Sequence, residues 1–260
     1  MRRIVARKIM HLEHSPERMD FLDNFQAVGG KVWPASDLMI KYLSDTNIIK
    51  NKRVLELGSG CGYVGLACGV LGARKVTLTD RVITQRRLEH DMEGMLIECE
   101  MEPDRMLLDI CDLNISRNQA ICGNSHLKTQ ELEWGEENFS HIDRICNDDP
   151  YDVIIGSDVT YHANLSEDLF WTVSTLLRRH RALSQRRCAD GIENGNNRKE
   201  IAFLVSHQFR LESATALTLS TAKRFGLHCI TLATSSNTAV KVMAQQPPSK
   251  IITRQATVLS

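Results

Sequence analysis

Nowhere along the 260 residues does an apolar run approach the length of a membrane span, and the basic start MRRIVARK has no apolar stretch of the kind a secretory signal needs. The expectation is a cytoplasmic protein, with a nuclear pool left open and no membrane partner. Charge of one sign is missing too, since 32 Lys plus Arg balance 32 Asp plus Glu. Without a net field, nucleic acid or an anionic surface would have to be recognised locally, which argues against nucleic acid as a partner. The arginine-rich run LLRRHRALSQRR has no interleaved aromatic residues and reads as a solvated helix end. The 8 cysteines are scattered without a paired C-x-x-C. That excludes a disulfide framework or zinc site as the working reading, leaves no metal expected, and suits a reducing compartment.

What is present is an alternation of strands and helices in a length that suits one generous domain. Residues 1–30 read as a polar lead-in with hairpin character, and residues 31–260 as the main domain. ASDLMIKYLSD (35–45) spaces Leu38, Met39, Tyr42 and Leu43 as a helical stripe, with Ser36 or Asp37 as cap and Pro34 at the entry. RVLEL is a buried strand, VGLACGVLGA a helix of small residues, KVTLTD the next strand, and VITQRRLEHDMEGMLI (82–97) has helical periodicity. YDVIIGSDV runs as an apolar strand into a polar tip, followed by the helix LSEDLFWTVSTLLRRH, the strand EIAFLVSH, the helix SATALTLSTAKRFG and two further strands, LHCITLA and AVKVMA. This order predicts an α/β fold, Rossmann-like and doubly wound, with a mostly parallel sheet and right-handed crossovers. Residues 111–131 and 186–199 break the pattern and read as polar insertions on loops.

The stretch VLELGSGCGYVG carries the chemistry. Gly60, Gly62 and Gly65 satisfy G-x-G-x-x-G between a strand and a helix, and Asp80 ends the next strand, where an acid can bind ribose hydroxyls. Taken alone this pattern suggests NAD. Glu56, however, lies two residues ahead of Gly58, and its negative charge opposes a pyrophosphate on the helix N-terminus. S-adenosylmethionine has no phosphate and brings a positive sulfonium and amino group. On that reading Glu56 faces a cation directly or through water, the turn's amides take the ligand's carboxylate, and Asp80 takes the ribose.

VWPAS, VLELGSGCGYVGL, VTLTD, LEWG and DVIIGSDVTY occur here in one order. In that order they resemble the seven-β-strand (class I) protein-lysine methyltransferases, the group whose members modify chaperones, a valosin-containing AAA-type ATPase, elongation factors and calmodulin. The resemblance spans roughly residues 28–210, and Val-Trp-Pro-Ala with Asp-Val-Thr-Tyr is its more specific part. It implies a class I methyltransferase fold with a seven-stranded sheet, S-adenosylmethionine as cofactor, and a lysine on a protein substrate as acceptor, the substrate being of the chaperone, ATPase or translation-factor kind. It implies that Trp33, Gly58, Ser59, Gly60, Asp80, Trp134 and Ser157 contact the cofactor. Asp158 and Tyr161 would form the D-x-x-Y motif beside the acceptor. Asp158 can hold the incoming ammonium by a charge-assisted hydrogen bond, and Tyr161 can offer an aromatic face. Trp33 precedes a proline that keeps its backbone extended. In one respect the chain departs from the pattern: relatives carry asparagines in the helix after the second strand, where this chain reads RRLEHDMEGM. His162 and the SHQFR stretch (206–210) are further rim candidates without an assigned role. Two other readings stay open, a methyltransferase for a nucleic-acid base or small molecule, and a non-catalytic S-adenosylmethionine-binding interaction domain. The strand tip Asp-Val-Thr-Tyr, without prolines, counts against a base as acceptor.

Overall fold

The computed structural model describes residues 2–5, 8–11, 31–82, 86–90, 96–100, 105–146, 150–160, 163–190, 201–208 and 212–245, with the backbone alone in residues 2–5, 8–11, 86–90, 96–100, 163–164, 184, 187–188 and 212–214. Strands β1 (Arg2–Val5) and β2 (Lys8–His11) pair antiparallel. Helix α1 (Pro34–Thr46) follows. Its N-cap is Trp33, extended at φ −94° and ψ 152°, rather than Ser36 or Asp37. Pro34 at the first helical position needs no partner for a missing N–H, which is why the helix can begin there.

β3 (Arg53–Leu57) is buried throughout and turns through glycines into α2 (Tyr63–Val70), every residue of which is buried. β4 (Lys75–Asp80) lies parallel to β3. Beyond it the structure departs from the sequence reading. In place of the helix expected over 82–97, the described residues there form β5 (Arg86–His90) and β6 (Leu96–Glu100), which pair antiparallel. Apolar spacing over so short a stretch fits either period, and here the local strand pairing wins.

Residues 111–131 are not a loop insertion. Helix α3 (Met106–Cys122) and strand β7 (His126–Glu131) occupy them. The helix is hidden in the sequence because polar residues sit on its buried face: Leu107, Cys111, Asn114, Asn118 and Cys122 recur at spacings of three and four, and all five are buried. Asn114 donates to the Cys61 carbonyl at 2.8 Å and Asn118 to the Asn114 carbonyl at 2.7 Å, so neither amide is buried without a partner. These asparagines stand in the helix between β4 and β7. β5 and β6 are set between β4 and that helix.

A 3₁₀ turn (Glu136–Asn138) leads into α4 (Phe139–Cys146), then β8 (Val153–Ser157) and α5 (Ala163–Ala189). The second expected insertion, 186–199, is helical up to Ala189, and residues 191–199 lie outside the described ones. β9 (Phe203–Gln208), α6 (Glu212–Arg224), β10 (His228–Ser235) and β11 (Thr238–Ala244) complete the described elements.

The main sheet is 7-stranded in the order β10-β11-β9-β8-β3-β4-β7. β3 pairs in parallel with both β4 and β8, while β11 runs antiparallel between β9 and β10. Successive residues of β3 enter different cores. Val54 packs with α1, α2 and α3 on one face, and Leu55 and Leu57 pack with α4 and α5 on the other. The chain leaves β3 toward β4 and β7 and later returns to β8 on its other side. That reversal opens a crevice beyond the carboxyl ends of the strands.

Arg53 and Asp152 fasten the opposite ends of β3 and β8. Asp152 Oδ2 accepts from the Arg53 amide at 2.8 Å and lies 3.4 Å from its Nε, with both side chains under a tenth exposed. Removing one partner of a buried pair costs about 3–5 kcal/mol. Asp152→Ala is expected to lower stability by that amount, seen as a fall in denaturant midpoint at unchanged m-value.

Candidate functional site

At the crevice a cavity of about 170 Å³ is lined by Trp33, Gly58, Gly60, Asp80, Trp134, Ser157 and Asp158, with Val159, Leu107 and others between them. Each comes from the end of an element: Trp33 from the cap of α1, Gly58 and Gly60 from the turn after β3, Asp80 from β4, Trp134 from the segment after β7, Ser157 and Asp158 from β8 and its exit. Side chains tens to a hundred positions apart in the chain are collected there because parallel strands all end on one side.

The glycine turn is filled from within. The Gly60 amide donates to Asp80 Oδ2 at 2.8 Å, the Ser59 amide to the Thr79 carbonyl at 2.9 Å, and the Gly62 amide to the Ser59 carbonyl at 2.8 Å. From α3, the Cys111 thiol donates to the Gly60 carbonyl at 3.1 Å. These three turn amides already have partners, so they do not form the free cradle a pyrophosphate requires. A ligand carboxylate would have to use amides of the turn other than these three.

Gly58, at φ +65°, lets the cavity's aromatic wall close. A Cβ there would lie 2.9 Å from Val159 Cγ1 and 3.1 Å from Trp134 Cζ2, so the half-buried indole rests directly against backbone. Trp134 follows β7 by three residues, and no loop excursion is needed to bring it in.

Glu56 and Ser59 do not line the cavity. Glu56 is the residue of β3 that faces α2, since side chains alternate along the strand. It is 1% exposed, and a Cβ on Gly65 would collide with its carboxylate. Burial pushes its carboxyl up to about 8, against a lowering by the Gly65 backbone, and the Asp80 charge raises it further. A carboxyl held so high is largely protonated at neutral pH. A protonated Glu56 weakens the like-charge argument against phosphate, while the partnered amides of Ser59, Gly60 and Gly62 take three donors away from such a ligand. Oε2 has no hydrogen-bond partner among the described residues. Ser59 is buried, its Oγ 3.5 Å from Cys111 Sγ.

Asp80 is held by the Gly60 and Arg81 amides at 2.8 and 2.9 Å, and burial raises its carboxyl above the ordinary value despite them. Asp158 is 4% exposed and sits at φ 56°, a left-handed conformation that costs a non-glycine residue of order 1 kcal/mol or more and that clusters at functional sites. Its amide donates to the Ser206 carbonyl at 2.8 Å, and Oδ1 accepts from the Gln208 amide at 3.4 Å. Ser157 Oγ lies 2.9 Å from Ser36 Oγ and accepts from Ser206 Oγ at 3.0 Å. Tyr161 and His162 lie outside the described residues.

Sequence reasoning missed several wall residues. Leu132 and Glu133 stand beside Trp134 in ELEWG, and Val159 lies within the Asp-Val-Thr-Tyr motif, so both motifs could have yielded them. Leu107 of α3 and Asp168 of α5 had no such signal. Burial, then Glu167 and Glu137, raise the Asp168 carboxyl.

Sheet order, crevice and acid placement together define a class I methyltransferase fold. Residues 19–101 and 101–190 match the family described as lysine methyltransferase, and the chain belongs to it. Protein N-lysine methyltransferase METTL21A of Danio rerio is 30% identical over 135 residues, 52% of this chain and 49% of that protein. Calmodulin-lysine N-methyltransferase of Arabidopsis thaliana is 24% identical over 152 residues, 58% of this chain and 41% of that protein. Histone-arginine methyltransferase METTL23 of Xenopus laevis is 30% identical over 152 residues, 58% of this chain and 53% of that protein. The chain spans about half the length of the curated relatives it matches. Among solved structures, the Thermus thermophilus 16S rRNA N2 G1207 methyltransferase RsmC in complex with AdoMet and guanosine aligns at a TM-score of 0.52 and 14% identity, covering 95% of this chain and 50% of that one. That likeness supports the fold.

Two outcomes test the site's construction. Gly58→Ala is expected to lower stability by about 1–3 kcal/mol and to shift tryptophan emission as Trp134 is displaced, read by thermal melting and fluorescence. A carboxyl whose folded pKa is raised stabilises fully below its unfolded value and loses that contribution as pH climbs through about 8. Wild-type Tm should therefore fall relative to that of Glu56→Gln by several degrees between about pH 5 and about pH 9. A difference constant over that range would contradict a buried, titrating Glu56.

Proposed function

We propose that the chain transfers a methyl group from S-adenosylmethionine to a lysine side chain of a protein. The observation that carries this reading is the placement of Asp158, buried, left-handed and exposed to the same cavity as Asp80 at the switch point of the sheet. A carboxylate held there is suited to a cationic amine, and the strained backbone has no other evident use.

The cavity fits the donor. S-adenosylmethionine supplies an electrophilic methyl on a positive sulfur. Asp80 keeps lone pairs beyond its two amide bonds for ribose hydroxyls, the Trp134 indole presents a flat face for adenine, and the absent side chain at Gly58 lets Trp134 and Val159 close the cavity wall. On the acceptor side, Asp158 receives the ammonium of the incoming lysine by a charge-assisted hydrogen bond and orients its nitrogen. Desolvation in the cavity lowers the lysine pKa, so the amine loses its proton to solvent and attacks as a neutral nucleophile. No strong general base is required of the chain. The free thiols of Cys61, Cys68, Cys111, Cys122, Cys146 and Cys229 support the cytoplasm as the proposed compartment. A protein of the chaperone, ATPase or translation-factor kind remains the proposed partner, on family resemblance.

Purified protein incubated with radiolabelled S-adenosylmethionine and a cell lysate should label a discrete protein band, with mass spectrometry placing the methyl on lysine. Asp158→Asn is expected to lower the rate about a hundredfold at similar cofactor affinity, and Asp80→Asn to weaken cofactor binding about tenfold or more. Label on arginine or nucleic acid would defeat the lysine reading, and transfer that survives Asp158→Asn intact would remove the role given to Asp158.

A further inference from the structure

The tip of β9 grips the exit of β8 through three consecutive residues. Ser206 takes the Asp158 amide on its carbonyl and gives its hydroxyl to Ser157, and the Gln208 amide reaches Asp158 Oδ1. Between them His207 is 6% exposed, with Nδ1 2.7 Å from Thr160 Oγ1 and Nε2 3.3 Å from Thr215 Oγ1. Thr160 is itself 3% exposed and stands two residues beyond Asp158. Thr215 belongs to α6.

An imidazole buried at this depth costs desolvation unless both nitrogens are hydrogen-bonded, and here both have a hydroxyl. A leucine would fill similar space without that demand. What the ring adds is direction. A neutral imidazole donates at one nitrogen and accepts at the other, so it fixes the rotor of the Thr160 hydroxyl and bridges the β8 exit to a helix on the far side of β9. The left-handed backbone at Asp158 persists only if its surroundings hold it. Ser206 and Gln208 hold Asp158 itself with main-chain groups that many residues could supply. His207 holds the next stretch of the turn with a side chain that few could replace.

We propose that His207 is a positioning residue for Asp158: by pinning Thr160 between β9 and α6, it keeps residues 158–160 in the turn that presents the Asp158 carboxylate to the cavity. The role rests on the reading that Asp158 receives the acceptor amine. It differs from a rim role, which the depth of the ring excludes. His207→Asn offers an amide near the Nδ1 position and retains the Thr160 contact, whereas His207→Leu retains neither contact. Thr160→Val removes the partner hydroxyl and leaves His207 in place.

The test joins steady-state kinetics on the labelled protein substrate with hydrogen exchange on the free enzyme. His207→Leu and Thr160→Val should each lower kcat about tenfold to a hundredfold, with cofactor Kd and KM within about threefold of wild type. The double variant should be no worse than His207→Leu, and His207→Asn should recover most of the loss. Amides at 157–160 should exchange faster in both single variants, with β3 and β4 unchanged. Unchanged kcat and exchange in Thr160→Val and His207→Leu would overturn the role, as would additive losses in the double variant or a cofactor Kd that weakens in step with kcat. Exchange is read without turnover, so the two readings separate. A loosened turn beside an Asp158→Asn enzyme of full activity removes the acceptor reading and the proposal with it. An inactive Asp158→Asn enzyme beside an undisturbed turn in His207→Leu removes the role of His207 alone.

Discussion

The hydrogen bond from the Gly60 amide to the Asp80 carboxylate, 2.8 Å long, couples the turn after β3 to the end of β4, and the cavity's form depends on it. A glycine turn between a strand and a helix leaves amides pointing outward, which would ordinarily invite an anion. Here an acid from the neighbouring strand takes one, and main-chain carbonyls take those of Ser59 and Gly62. The turn thereby becomes a wall that holds a carboxylate at the crevice, with three of its amides already partnered. A ligand with hydroxyls to donate suits such a wall.

Beneath that wall the support is polar as well as apolar. Asn114 and Cys111 reach from α3 to the carbonyls of Cys61 and Gly60, so the helix recognises the turn by its backbone rather than by packing alone. Glu56 lies deeper, against Gly65, where the missing side chain leaves room for a carboxyl. At 1% exposure it is shut off from solvent, and that burial raises its pKa. The exit of β8 is built on another plan: Asp158 is held in a strained conformation by groups from β9, and Ser157 joins α1 to β9 through hydroxyls. The glycine turn is held by main-chain and carboxylate hydrogen bonds, while the exit of β8 is held in a left-handed conformation.

Some of the site was legible because its residues sit at strand ends within short motifs. Gly58, Gly60, Asp80, Ser157 and Asp158 lie where alternating strands and helices must bring them, and Trp134 is flagged by its neighbours in ELEWG. α3 was not legible. Its inward face carries Asn114 and Asn118, which a hydrophobic period cannot register, and their burial makes sense only once the carbonyls they meet are in place. Residues 82–97 failed for the opposite reason, since their apolar spacing fits a helix while the chain pairs as strands.

By itself the sequence determined the class of fold and the strand-end members of the crevice, because strand and helix periods, glycine placement and strand-end acids are local properties that survive without knowledge of neighbours. Tertiary structure decided which of those groups face the cavity and in what charge state. Glu56 reads as a cofactor acid in sequence, yet alternation along β3 turns it toward α2, where burial favours its proton. His207 reads as a rim histidine, yet the depth of β9 places both its nitrogens against threonines from separate elements. Direction and desolvation arise from packing between distant segments, and no spacing along one chain encodes them.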